Sequence, residues 1–143
     1  MKTDRRRSRE FALQGLYQWQ LAKGDPAAIA KQLSEAKGFD KIDADYFTML
    51  LEGAIAAAPE LERAIAPHLD REYKRLSPVE RAILLLAGYE LAHRPDVPFR
   101  AVINEAVELA KSYGGTDGYK FVNGVLDKMA AQLRRVEKGV NSD

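Results

Sequence analysis

The chain has 143 residues, 46% of them hydrophobic and 30% charged, which is enough for one self-sufficient core and too apolar for a disordered chain. Its formal net charge is only +1, so any attraction to nucleic acid has to come from local clustering and not from the charge of the whole. It holds no cysteine, which excludes disulfides, thiolate metal sites and cysteine nucleophiles, and its two histidines, His68 and His93, lack the local spacing of a zinc site; neither a metal nor a cofactor is expected.

The first residues carry charge but lead into no apolar signal region, and no stretch is long enough to span a bilayer, so the cytoplasm is the expected compartment. Apolar residues recur at spacings of three and four, and no Val/Ile/Thr-rich alternating run occurs, so the spacing predicts an all-α chain. The first helix is expected from about Arg5 to Lys23, with Leu13, Leu16, Tyr17 and Leu21 on one face and Gly24 closing it. Asp25-Pro26 opens a second, to about Lys37, ended by Gly38. Asp43 caps a third with Tyr46, Phe47, Leu50, Leu51, Ala54 and Ile55 inward, and Pro59 interrupts it before a fourth segment with Leu61, Ile65 and Leu69.

Ser77-Pro78-Val79-Glu80 is the clearest start signal: serine at the cap, proline at the first position and glutamate at the third form a capping box. A strongly apolar helix follows to about Arg94. Pro95 and Pro98 bracket a connector, Phe99 to Ser112 reads as helix, Gly114-Gly115 breaks it, and Thr116 caps a last helix through Leu133 ahead of a polar tail from Gly139. Six or seven helices with short loops imply a compact bundle or a pair of small ones.

The densest charge lies at the start, where Lys2, Arg5, Arg6, Arg7 and Arg9 face a single acid, Asp4. A guanidinium can hold a phosphate bidentately and stack on a base, so arginines gathered at a helix start suit RNA. They also oppose the helix dipole at a modest cost, although a solvated terminal arm accounts for the same composition. Tyr17, Trp19 and Gln14 on the same helix offer a stacking surface, against the ordinary reading of such aromatics as core. The Tyr113–Lys120 loop has glycines that let a backbone approach, but it lacks both phosphate-loop spacings and follows no strand, so a plain helix–helix turn explains it. Asp43 with Asp45 and Glu105 with Glu108 read as solvated helix faces. No nucleophile, base or metal set stands out, so the chain is not expected to be an enzyme.

Three blocks make the chain familiar: Arg5-Arg6-Arg7-Ser8-Arg9-Glu10 with Ala12-Leu13-Gln14-Gly15-Leu16-Tyr17-Gln18-Trp19-Gln20; Glu80-Arg81-Ala82-Ile83-Leu84 with Tyr89-Glu90-Leu91; and Val97-Pro98, Ile103-Asn104-Glu105-Ala106-Val107-Glu108-Leu109-Ala110-Lys111 and Lys120-Phe121-Val122-Asn123-Gly124-Val125-Leu126-Asp127-Lys128. In this order they resemble the NusB family of bacterial transcription antitermination factors over nearly the whole chain. The resemblance implies two small helical bundles packed roughly perpendicular, an N-terminal one over about residues 1–72 and a C-terminal one over about 73–138, with a tail at 139–143.

It also implies a function: pairing with NusE, a small-subunit ribosomal protein, binding the single-stranded boxA element of nascent RNA, and helping RNA polymerase, with other Nus factors, read through ribosomal RNA operons. By position the resemblance carries the RNA surface to Lys2, Arg5, Arg6, Arg7, Arg9 and Tyr17 and to Asp117, Lys120 and Phe121. The partner surface is expected on the C-terminal bundle at Glu80, Tyr89 and Glu90. The extra glycine in Gly114-Gly115-Thr116-Asp117-Gly118 departs from the family pattern and loosens the expected loop contacts.

Some members of that family are homodimers that hide the arginine surface, and the sequence leaves monomer and homodimer both open. Two other readings stand beside this one. The same module opens RNA cytosine methyltransferases, whose chains continue into a cofactor-binding domain not expected here. A protein-only adaptor would instead use the arginines on an acidic partner.

Overall fold

The computed structural model describes residues 3–115 and 117–134. Lys2, the Thr116 cap and the polar tail therefore lie outside the described residues. Among the described residues the chain forms seven α-helices and no strand. They are α1 (Asp4–Ala22), α2 (Pro26–Ser34), α3 (Ala44–Ala56), α4 (Ala58–Ile65), α5 (Pro78–His93), α6 (Phe99–Tyr113) and α7 (Gly118–Leu133).

The starts follow from capping chemistry. Thr3 Oγ1 accepts the Arg6 N–H at 3.0 Å, Asp25 Oδ1 the Ala27 N–H at 3.3 Å and Asp43 Oδ1 the Tyr46 N–H at 3.1 Å, each satisfying a donor that the first helical turn leaves free. At α5 the Glu80 N–H donates to Ser77 Oγ at 3.1 Å, as a capping box requires. The return half differs, because the Ser77 hydroxyl itself lies 3.0 Å from Glu80 Oε1.

Two ends differ from the sequence expectation. Helix α2 stops at Ser34, short of Lys37, because the Glu35 and Ala36 N–H groups turn to carbonyls three residues back and tighten the chain out of the α-helix. Leu69 falls outside α4, since Pro67 cannot continue the ladder and the chain passes through a short 3₁₀ turn at Ala66–His68.

Helix α5 is the axis of the molecule. Ile83, Leu84, Leu85 and Leu86 are all buried, so the helix is apolar on every side, and α1, α3, α4, α6 and α7 pack around it. Where α3 meets α5 the Tyr89 ring lies directly over Gly53, and a Cβ there would collide with the ring Cζ. Phe11, Phe39 and Phe47 meet edge to face at 5.4 to 6.3 Å and tie α1, the turn at Phe39–Lys41 and α3 together. Arg134, just past α7, closes the other end of α5: its guanidinium donates to the carbonyls of Glu90, Leu91, Arg94 and Val97 at 2.8 to 3.0 Å. Leu91 is in the last turn of α5, whose carbonyls a helix C-terminus leaves without intrahelical partners, while the Glu90 and Arg94 carbonyls also accept the Arg94 and Val97 N–H groups.

Candidate nucleic-acid interface

The four arginines of the N-terminal cluster do not stay together on folding. Arg5 is exposed and lies over the Tyr46 ring, 4.3 Å from its centroid. The Arg6 Nε donates to Glu105 Oε2 at 2.9 Å, with the side chain 42% exposed, and Arg7 stands 3.9 Å from Asp4. These three hold their guanidinium groups at the surface on a helix fixed by its Thr3 cap.

Arg9 corrects the sequence expectation. It is 6% exposed, and its Nε and Nη2 each donate to one Glu90 oxygen at 2.8 Å. Arg9 precedes Ala12, Leu13 and Leu16 by three, four and seven residues, so helical periodicity turns it inward with them. Glu90 is corrected by the same fact: at 1% exposed it follows Ile83, Leu86 and Ala87 on the inner side of α5 and cannot touch a partner protein. A charged residue in the apolar register of each of two helices was the signal available for a buried pair.

Tyr46 completes this buried centre. Its hydroxyl donates to Glu90 and lies 3.3 Å from Arg9 Nη2. Burial, reinforced by the Glu90 charge, pushes its pKa up to about 12. Burial by itself would lower the Arg9 pKa, but the hydrogen bonds and charge of Glu90 reverse the sign and hold it above its ordinary value. Ser8, also buried, accepts the Asp43 N–H at 2.9 Å and so fixes the arginine helix to the start of α3.

The remaining expected residues fall into separate places. Tyr17 is 39% exposed and, with Leu21 and Tyr113, rims an open hollow of about 630 Å³ floored by Leu13, Leu33 and Val79. Trp19 is not beside it; it packs on the core with the Lys23 ammonium 4.3 Å above its ring. Glu80, Asp117 and Phe121 come together around a second hollow of about 410 Å³, with Arg71, Ser77, Gly115 and Gly118. Residues expected to serve RNA and a partner thus line one hollow. Arg71, which the sequence did not single out, stands 5.3 Å over the Phe121 ring, and Lys120 pairs with Asp117 at 3.6 Å. Tyr89 is far from Glu80 around α5: it faces Gly53 and stacks on His93 at 4.9 Å.

Among the described residues no His/Cys/Asp/Glu group could hold a metal ion, and no helix is long and apolar enough to cross a membrane. The arginine helix is thus capped at its start and locked to a central apolar helix by a buried Arg–Glu pair. The NusB family model matches residues 6–131. This chain belongs to the NusB family.

Transcription antitermination protein NusB of Nitrosomonas europaea is 57% identical over 136 residues, covering 95% of this chain and 81% of that protein. The protein of the same name from Paraburkholderia phytofirmans is 58% identical over 134 residues, covering 94% and 93%. Among solved structures, T. maritima NusB superposes with a TM-score of 0.83 at 32% identity, covering 98% of this chain and 100% of that one. A chain from the crystal structure of antitermination factors NusB and NusE in complex with dsRNA gives 0.75 at 30% identity, covering 89% and 96%. Both sequence relatives bear the name of a transcription antitermination protein, a non-enzymatic role.

Proposed function

We propose that the chain is a cytoplasmic, RNA-binding antitermination factor that pairs with NusE, grips single-stranded boxA RNA and, with RNA polymerase and other Nus factors, promotes read-through of ribosomal RNA operons. The observation that carries this reading is the outward set Arg5, Arg6 and Arg7 on a capped, rigidly mounted helix, which presents guanidinium groups with little left to order on binding. The solved complex of NusB and NusE with dsRNA supports NusE and RNA as partners for a chain of this fold. Lys120 and Phe121 supply a second contact, an exposed ammonium and a half-buried aromatic in the first turn of α7.

On this reading the chain divides near Tyr73 into an N-terminal sub-bundle bearing the arginines and a C-terminal one bearing the loop. NusE sits on the C-terminal sub-bundle at Glu80 and Tyr89, and Tyr17, exposed at the rim of the apolar hollow beside α1, adds to the RNA surface.

The test is fluorescence anisotropy of a short boxA-like RNA titrated with the chain, alone and with NusE, beside a scrambled RNA and an Arg6→Ala/Arg7→Ala variant. Tighter, sequence-selective binding with NusE that the variant loses is the expected result. Equal weak binding to both RNAs would leave a basic helical adaptor for proteins.

A further inference from the structure

The arginine surface does not end on α1. Tyr46, from α3, is buried with its ring under three guanidinium groups: Arg5 at 4.3 Å, Arg9 at 5.4 Å and Arg94 at 5.6 Å from the centroid. Arg9 is neutralised by Glu90, which leaves Arg5 and Arg94 as the two cations that share this ring near the surface.

The Arg5 guanidinium makes no hydrogen bond or ion pair among the described residues and rests on the ring. Arg94 is the C-cap of α5, and its backbone is fixed on both sides: its N–H donates to the Glu90 carbonyl at 2.9 Å, while its own carbonyl accepts Arg134 Nη2 at 2.8 Å and the Val97 N–H at 3.0 Å. The side chain therefore rises from a rigid point. Its Nη2 donates to Asp96 Oδ2 at 2.8 Å, and its buried Nε has no hydrogen-bond partner.

Two facts distinguish this from an ordinary surface ion pair. The first is the aromatic floor, which orders both guanidinium groups by cation–π contact and so lowers the entropy lost when they take a ligand. The second is the imbalance of charge, since the single carboxylate of Asp96, its side chain 56% exposed, faces two guanidinium groups. A pair that open to water is weak, and a phosphate can replace the carboxylate.

We propose that Arg5 and Arg94, both seated on Tyr46, form a further phosphate-binding site for the backbone of single-stranded RNA, extending the α1 surface onto the end of α5. The site rests on the RNA-binding reading above and adds to it a residue far along the chain. Asp96 acts there as the built-in competitor that the phosphate displaces.

The experiment is a salt series of anisotropy titrations, with a short fluorescein-labelled single-stranded RNA and the full chain together with NusE. Arg94→Gln is expected to weaken binding about tenfold, the worth of one charge-assisted contact. It should also lower the slope of log affinity against log salt by about 0.7, the value for one single-strand phosphate. Asp96→Asn should tighten binding about threefold.

If Arg94→Gln changes neither affinity nor slope while Arg6→Ala/Arg7→Ala loses binding, the α1 surface stands and the Arg94 site is overturned. Weaker binding at an unchanged slope overturns it too, because the lost contact was then not with a phosphate. Absence of any salt-dependent binding by the unaltered chain removes the RNA reading itself, and this site with it. Should Arg94→Gln fail to fold, Asp96→Asn decides alone: tightening supports the site, and equal or weaker affinity rejects it.

Discussion

Arg9 and Glu90 face each other in parallel across the α1–α5 contact, Nε to Oε1 and Nη2 to Oε2, both at 2.8 Å, with their side chains only 7% and 2% exposed. Breaking such a pair from one side leaves a buried charge without compensation, which costs about 3–5 kcal/mol. Arg9→Ala and Glu90→Gln are each expected to lower unfolding free energy by that order in urea titrations. If Arg9 instead served RNA directly, Arg9→Ala would leave stability unchanged and reduce affinity alone.

Tyr46 gives the same centre a signature in base. Its folded pKa, at about 12, is raised above the ordinary phenol value of 10.0, so the protonated side chain favours the folded state. That contribution is complete below about pH 10 and disappears as pH climbs to about 12. Denaturation midpoints measured across this window should fall for the unaltered chain and fall less steeply for Tyr46→Phe. Tyr73, whose pKa burial also raises, accounts for part of the loss that remains.

Arg134 holds four carbonyls from Glu90 to Val97 with one guanidinium. An ammonium has neither the planar fork nor the number of donors to replace it. Arg134→Lys and Arg134→Ala should therefore both destabilise the chain, by about 2–3 kcal/mol, with the lysine recovering little. Because Arg94 is among the residues held, Arg134→Lys should also weaken RNA binding under conditions where the protein remains folded, and a variant with full affinity would contradict that link.

Asp117 is exposed, 3.6 Å from Lys120, and on the wall that carries Phe121. Its carboxylate repels an approaching phosphate and occupies the nearest cation. Neutralising it as Asp117→Asn should tighten RNA binding about two- to fivefold at low salt, with the gain shrinking as salt rises. Unchanged or weaker binding in the same anisotropy assay would sink the idea.

Much of this molecule is determined by local sequence. Thr3, Asp25, Asp43 and Ser77 set helix starts through side-chain oxygens that reach only two or three residues ahead, and the three-and-four spacing of apolar residues set which sides face inward. The same spacing contained the burial of Arg9 and Glu90, although the charge cluster and the family resemblance put Arg9 on the RNA surface and the resemblance put Glu90 on the partner surface. Family blocks in the sequence marked the outward arginines and the Lys120–Phe121 pair at the start of α7.

What the tertiary structure decided is which distant residues meet. Tyr46 beneath Arg5 and Arg94, Arg134 on the last carbonyls of α5, and Glu80 across a hollow from Asp117 each join positions separated by tens of residues. Local periodicity says that a side chain points inward but carries no information about its partner there. That choice follows from how α1, α3, α6 and α7 close around the apolar α5, because only the packed arrangement fixes which guanidinium finds a carboxylate, which a ring, and which is left facing water.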